Sequence, residues 1–357
     1  MTFTIYKLHF NAPLHINYMR EDAGISQRTI HSDTLYAALT SCLAKVGESI
    51  PPQGDLGCTV SSLFPFYQKD KDSRPTFFLP MPLQSQMPDL QDVSLAKTVK
   101  KVQWVDSSLY GLILEGKLSL DEKSEYLDCI YKSFLLNPQN HKHNEGQLLF
   151  EDFIISSVTV RGSSPDRTGI EPTVPFYIDR LFFKGYSGMF FIVEGDTSLI
   201  EKALNILKDE GLGTDRHVGY GTFDLEKSQL SIDVPKSEDK SQLSSDVPKS
   251  EDDTGYWVSL SMLIPEDDNQ LRELLTPDNV AYELMRRGGW ITTHPYTTYR
   301  KNVIYAFMPG SVLCKTSNDM VTGRIVDLTP SETGITIDHK IWRNGKSIML
   351  PIKIKTR

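Results

Sequence analysis

Cysteine is scarce: Cys42, Cys58, Cys129 and Cys314 are the only four in 357 residues, and they lie far apart. No two have the spacing of a zinc ligand set, and so few cannot form a dense disulfide framework. Reduced thiols in a cytoplasmic setting are the simplest expectation. No apolar run approaches the ~20 residues that span a bilayer. The opening Met1-Thr2-Phe3-Thr4-Ile5-Tyr6-Lys7 has no signal-peptide layout and alternates like a strand. An excess of positive charge is also missing. The net charge of −8 argues against indiscriminate binding of nucleic acid. Half of that excess is local, because Glu226 to Asp253 holds eight acids and four lysines. Basic patches elsewhere are therefore not excluded.

Two phosphate-binding motifs are absent as well. No Gly-Lys-Ser/Thr closes a glycine loop, which excludes a Walker A loop. The one glycine-rich stretch follows a helix pattern, where a dinucleotide fingerprint must follow a strand. That stretch runs from Gly211 to Gly221 and holds four glycines in eleven residues. Ser198 to Glu210 before it reads as a helix with Ile200, Leu204 and Leu207 on one face. Thr222 to Leu225 after it reads as a strand. Gly211 suits a left-handed helix cap. Gly213, Gly219 and Gly221 suit either a turn and bulge or a backbone that a ligand approaches closely. Arg216, His217 and Tyr220 add a charge, a switchable donor and a stacking face.

Hydrophobic residues at 39% and charged residues at 24% are ordinary for a globular protein, and 357 residues suggest two domains. Residues 2–10 read as a first strand. Ser32 or Asp33 is expected to cap a helix that runs to about Val46, with Leu35, Leu39 and Leu43 buried and Gly47 ending it. Residues 48–95, rich in proline and aromatics, read as irregular. Lys97 to Val105 reads as a solvated strand edge or helix face carrying Lys97, Lys100 and Lys101. One or two helices are expected around 107–136. Phe153–Val160 and Phe176–Lys184 form a long hairpin with Arg161 and Arg167 near its tip, and Gly188–Val193 is a further strand. His141, Lys142, His143 and Glu145 read as a solvated loop, since no partner cluster for a metal is visible.

A true internal repeat follows. Lys227–Asp239 recurs as Lys240–Asp252 with one change, Ile232 to Ser245. So polar a segment is expected to be a mobile linker. The expected division is residues 1–225, a linker at 226–254, and residues 255–357. In the last part a strand begins near Tyr256, Pro277–Arg287 reads as a helix, and Val303–Met308, Gly323–Leu328 and Ile348–Ile354 read as strands.

These residues together resemble a known family. A glycine-rich loop after the second helix is a mark of the RAMP superfamily of CRISPR proteins. His31-Ser32-Asp33-Thr34-Leu35 resembles one branch, the fourth subunit of the Csm (type III-A) effector. So do Phe78–Pro82, Ile178-Asp179-Arg180, Arg287-Gly288-Gly289-Trp290, Pro309–Val312 and Ile325–Pro330. The resemblance implies an α+β chain of two ferredoxin-like (RRM-like) domains with a hairpin insertion, no catalysis, and no cofactor or metal. It also implies two roles: binding the repeat-derived 5′ tag of the guide RNA (crRNA), and joining the large multidomain catalytic subunit to the repeating backbone subunit. Under it, His31, Lys100, Lys101, Arg161, Arg167, Arg180, Gly211, Gly213, Arg216, His217, Gly219, Tyr220 and Gly221 are the candidate RNA contacts. Two alternatives stay open: a metal-independent guide-processing endoribonuclease with His31 as general base, and the equivalent cap subunit of a Cmr (type III-B) complex.

Overall fold

In the computed structural model, described residues are 1–19, 22–83, 92–121, 123–141, 150–162, 175–235, 255–276, 279–331 and 336–354. The first strand, β1 (Thr2–Phe10), is buried along most of its length. Helix α1 (Ser32–Lys45) buries the expected stripe of Leu35, Leu39 and Leu43, with Tyr36 and Cys42 beside it.

Residues 48–95 are not irregular throughout. They contribute β2 (Cys58–Val60), β3 (Phe64–Tyr67) and a strand at Thr76–Pro80. Pro65 interrupts no pattern that packing cannot replace: it faces Met189, and Phe64, Phe66 and Phe78 are all buried. Next comes α2 (Val93–Lys100), capped by the Asp92 side chain accepting from the Ser94 amide at 2.7 Å. The basic stretch is thus a helix face followed by a strand at Trp104–Asp106.

The long hairpin pairs β4 (Ile154–Gly162) with β5 (Pro175–Phe183). Then follow β6 (Gly188–Gly195), α3 (Ser198–Glu210) and β7 (Phe223–Ser231). β1 lies between β7 and β6, antiparallel to both, and β2 and β3 both pair with the other edge of β6. Helices α1 and α3 pack on each other. Thus α1 and α3, both expected from their apolar spacing, sit together beside this sheet.

The duplicated segment begins inside the sheet rather than outside it. β7 extends to Ser231, so the first copy supplies the strand's last five residues. Ile232 follows at 1% exposure, and its amide and carbonyl bond to Met1 at 2.8 and 2.7 Å. Residues 236–254 lie outside the described residues.

The C-terminal part centres on β8 (Gly255–Ser259). Around it lie β9 (Leu284–Arg287), β10 (Ile304–Phe307), β11 (Val312–Lys315), β12 (Trp342–Asn344) and β13 (Ser347–Ile352). β8 sits between β11 and β13, while β9 and β10 pair as a separate ribbon. The expected helix at Pro277–Arg287 is therefore corrected. Its last four residues are strand β9, pairing with β10 satisfies their backbone, and a helix lies earlier, at Asp268–Leu275.

The two parts share one core: Val258, Leu260, Ile348 and Leu350 join the cluster built on β1, β6 and α1. Polar groups stitch the same seam. The Met262 amide donates to Ser32 Oγ at 2.9 Å, and Ser261 Oγ donates to the Val60 carbonyl at 2.9 Å. Their relative placement is thus set by direct packing. No helix among the described residues is long and apolar enough to cross a membrane.

Candidate nucleic-acid interface

The loop from Gly211 to Gly221 leaves α3 at the expected residue, with the Gly211 amide bonded to the Leu207 carbonyl at 2.8 Å, but Gly211 (φ 79°, ψ 166°) is extended at positive φ and does not form the expected left-handed cap. Its glycines divide into two kinds. A Cβ at Gly211, Gly213 or Gly221 would run into the carbonyl oxygens of Tyr220, His15 and Leu212 respectively. These three serve the loop's own folding. Gly219, at φ +84°, faces open space, and Arg216, His217 and Val218 form an exposed single turn just before it.

Tyr220 does not present a free stacking platform. The Arg180 guanidinium lies 4.8 Å from its ring centroid. Arg180 also donates to Thr159 Oγ1 at 3.2 Å and approaches Asp215 at 4.0 Å. Arg180 therefore anchors the hairpin β4–β5 to the loop.

A groove of about 1430 Å³ opens beside the loop. One wall is α1, with His31 and Thr34. A second holds Gly213 and Arg216. The third comes from the C-terminal part, with Arg286, Arg287, Trp290, Arg300, Lys301 and Arg343. Arg300 lies 4.8 Å from the centroid of the Trp290 ring. The groove thus carries many cations in an acidic chain, with an aromatic among them, which suits a phosphate backbone and its bases.

His31 lines the groove with Ser32 and Asp33 buried next to it in the chain, and the expected capping role is corrected. No side chain caps α1. Ser32 Oγ is taken by Met262. Asp33, with its side chain 1% exposed, accepts from Arg287 Nε at 2.6 Å and Nη2 at 2.7 Å, and from Arg343 Nη1 at 2.7 Å. Burial alone raises an aspartate's pKa; here Arg343 and Arg287 outweigh it and hold the carboxyl well below its usual range. His31 is 3% exposed, and neither ring nitrogen has a hydrogen-bond partner. Burial pulls its pKa down to about 4, against the opposing pull of Asp33, so the ring is neutral at pH 7. Burial, helped by Arg343, also lowers Lys301 to about 8.

Of the expected contacts, the structure brings His31, Gly213 and Arg216 to this groove. His217 borders an adjoining cleft with Lys45 and Asp215. Lys100 and Lys101 are exposed at the end of α2 and do not line the groove. Arg161 is in β4, opposite Phe176, and Arg167 lies outside the described residues. His141 is not in a solvated loop: it is 5% exposed, 3.5 Å from the buried Asp106. Lys142, His143 and Glu145 lie outside the described residues.

Arg286, Arg300, Lys301 and Arg343 were not singled out from sequence. Their signal is faint: two short runs, Arg286-Arg287-Gly288-Gly289-Trp290 and Tyr299-Arg300-Lys301, mix cations with aromatics.

Comparison with known proteins agrees in two steps. Structurally, the chain is similar to subunits of CRISPR interference assemblies. It aligns with a chain of a Csm3–Csm4 subcomplex of a type III-A CRISPR-Cas interference complex over 99% of this chain and 100% of that one, with TM-score 0.61 and 19% identity. A Csm1–Csm4 cassette bound to pppApA gives TM-score 0.55 at 18% identity, covering 99% of each chain. More narrowly, residues 252–352 match the family model of the CRISPR Csm4 C-terminal domain. The chain is 26% identical over 271 residues to a CRISPR system Cms protein Csm4 of Thermococcus onnurineus (strain NA1), covering 72% of this chain and 74% of that protein. A Streptococcus thermophilus Csm4 is 22% identical over 99% of this chain and 100% of its own length. The resemblance to the fourth Csm subunit is thereby shown.

Proposed function

We propose that the chain is the non-catalytic, RNA-binding Csm4 subunit of a type III-A CRISPR effector, which holds the repeat-derived 5′ tag of the crRNA in the groove. The single observation that carries this is the groove itself, in which cations of the C-terminal part line the same space as Gly213 and Arg216 of the glycine loop. A single strand suits it, because unstacked bases can reach aromatic and guanidinium planes while lysine and arginine neutralise phosphates. The order β7-β1-β6-β2, with α1 and α3 packed together, supports a ferredoxin-like N-terminal domain. Similarity to chains crystallised with Csm1 and with Csm3 supports the large subunit and the backbone subunit as partners. His31 is an unpromising general base for cleavage, since its ring nitrogens are shielded and the proton-bound form is disfavoured to about pH 4.

The test uses tagged protein purified from cells carrying its own operon, with 5′-end sequencing of bound RNA and identification of co-purifying proteins. One shared repeat-derived 5′ end, with a large and a backbone subunit, is expected. A clean monomer without RNA would overturn the proposal, and cutting of repeat RNA by the pure protein would replace it with the endonuclease.

A further inference from the structure

We propose that the floor of the groove, where Lys301, Arg343 and Arg287 close around Asp33 beside His31, is a pocket for a single phosphate group. This deepens the reading of the groove as an RNA path and rests on it for the physiological donor, one backbone phosphate of the bound strand.

Charge comes first. Two arginines share one carboxylate, their side chains only 9% and 19% exposed for Arg343 and Arg287, and Lys301 lines the groove with both. Lys301 makes no ion pair among the described residues. A surplus of positive charge out of water is unfavourable unless an anion compensates it. Burial first, and the charges of Arg343 and Arg287 after it, lower the pKa of Lys301.

Unused donors come second. Asp33 occupies Arg287 Nε and Nη2 and Arg343 Nη1. Arg287 Nη1 is left with the Met285 sulfur at 3.5 Å, a weak acceptor. Arg343 Nε and both His31 nitrogens, one of which is a donor in the neutral ring, are buried with no partner among the described residues. Buried donors of this kind are rare in folded proteins and call for a partner such as a water or an ion. A phosphate offers several strong acceptor oxygens in the compass of one atom centre, and arginine and lysine are its usual ligands. A second carboxylate would meet the charge need with fewer acceptors. Both His31 and Lys301 line the groove, so the pocket opens where a strand would pass.

The experiment titrates inorganic phosphate into the full chain at fixed ionic strength, with chloride as the control. It follows the ring ¹⁵N resonances of His31, assigned with His31→Asn, and the melting temperature. Expected are a saturable His31 shift and a rise in Tm with phosphate alone. Lys301→Met should bind phosphate about tenfold more weakly or worse. It should melt no lower than wild type in chloride, since it removes an uncompensated charge. No saturable shift in the wild type, or equal phosphate affinity in Lys301→Met, would overturn the pocket. The two levels separate cleanly. Protein that carries crRNA but ignores phosphate loses the pocket and keeps the groove. Protein that binds phosphate but never carries crRNA keeps the pocket and loses the RNA path.

Discussion

Arg287 grips Asp33 with two parallel hydrogen bonds, at 2.6 and 2.7 Å, across 254 positions of sequence. Arg343 adds a third bond at 2.7 Å, from 310 positions away. A carboxylate at the start of α1 is thus held by arginines on β9 and β12. One ion cluster reports whether the N-terminal and C-terminal parts are docked.

Asp33→Asn is expected to destabilise the chain by about 3–5 kcal/mol, because it leaves Arg343 buried without its counter-ion. Arg287→Ala should cost less, since that side chain is 19% exposed. Urea denaturation measures both. An unchanged midpoint for Asp33→Asn would mean that the apolar seam alone holds the parts together.

His31 makes stability depend on pH in a defined window. Its folded-state value of about 4 lies below the ordinary 6.5, so the unfolded chain binds more protons between them. Stability is then complete above about pH 6.5 and falls as pH drops toward 4. The loss from this group is on the order of 3 kcal/mol across that window. Asp33 acts lower: its depressed carboxyl contributes stability that persists above the usual carboxylate range and is lost only below it. His31→Gln should flatten the pH 4–6.5 limb of a melting-temperature profile. A limb unchanged in that variant would assign the protons elsewhere.

The two kinds of glycine should separate folding from RNA binding. Gly219→Leu costs about 1–2 kcal/mol for a side chain at positive φ, yet its Cβ meets no neighbour within 4 Å. It should fold and lose bound crRNA. Gly221→Ala places its methyl against the Leu212 backbone and should damage the fold itself. Circular dichroism and nucleic-acid absorbance of the purified complexes distinguish them. Full RNA content in folded Gly219→Leu would remove the loop from the RNA path.

What could be read from sequence was what neighbours in sequence decide. The buried stripe of α1, the span of α3 and its end at Gly211 all follow from spacings within about four residues. The role of Asp33 was missed for the opposite reason. A serine and an aspartate before an apolar run suggest a cap, but Met262, Arg287 and Arg343 claimed both side chains from more than 200 positions away. Arg286, Arg300 and Lys301 form one wall only once β9 pairs with β10, a pairing that the helical reading of Pro277–Arg287 hides. Gly213 and Gly221 suit either a turn and bulge or a ligand from sequence alone, and crowding by the chain's own carbonyls accounts for both.

The one letter that differs between the two thirteen-residue copies carries a consequence for how the chain chooses its partner strand. Lys-Ser-Gln-Leu-Ser occurs twice, so β1 is offered the same edge in two registers. The copy that the sheet uses continues into Ile232, which is 1% exposed and clasped by Met1. The other continues into Ser245. Placing that serine in the isoleucine's apolar seat would forfeit roughly 1.5–3 kcal/mol of burial and strand a hydroxyl there. It would also leave Phe223 and Leu225 without their places beside Phe10 and Leu8. The copies are nearly synonymous as text, yet only one is spelled so that the sheet can close.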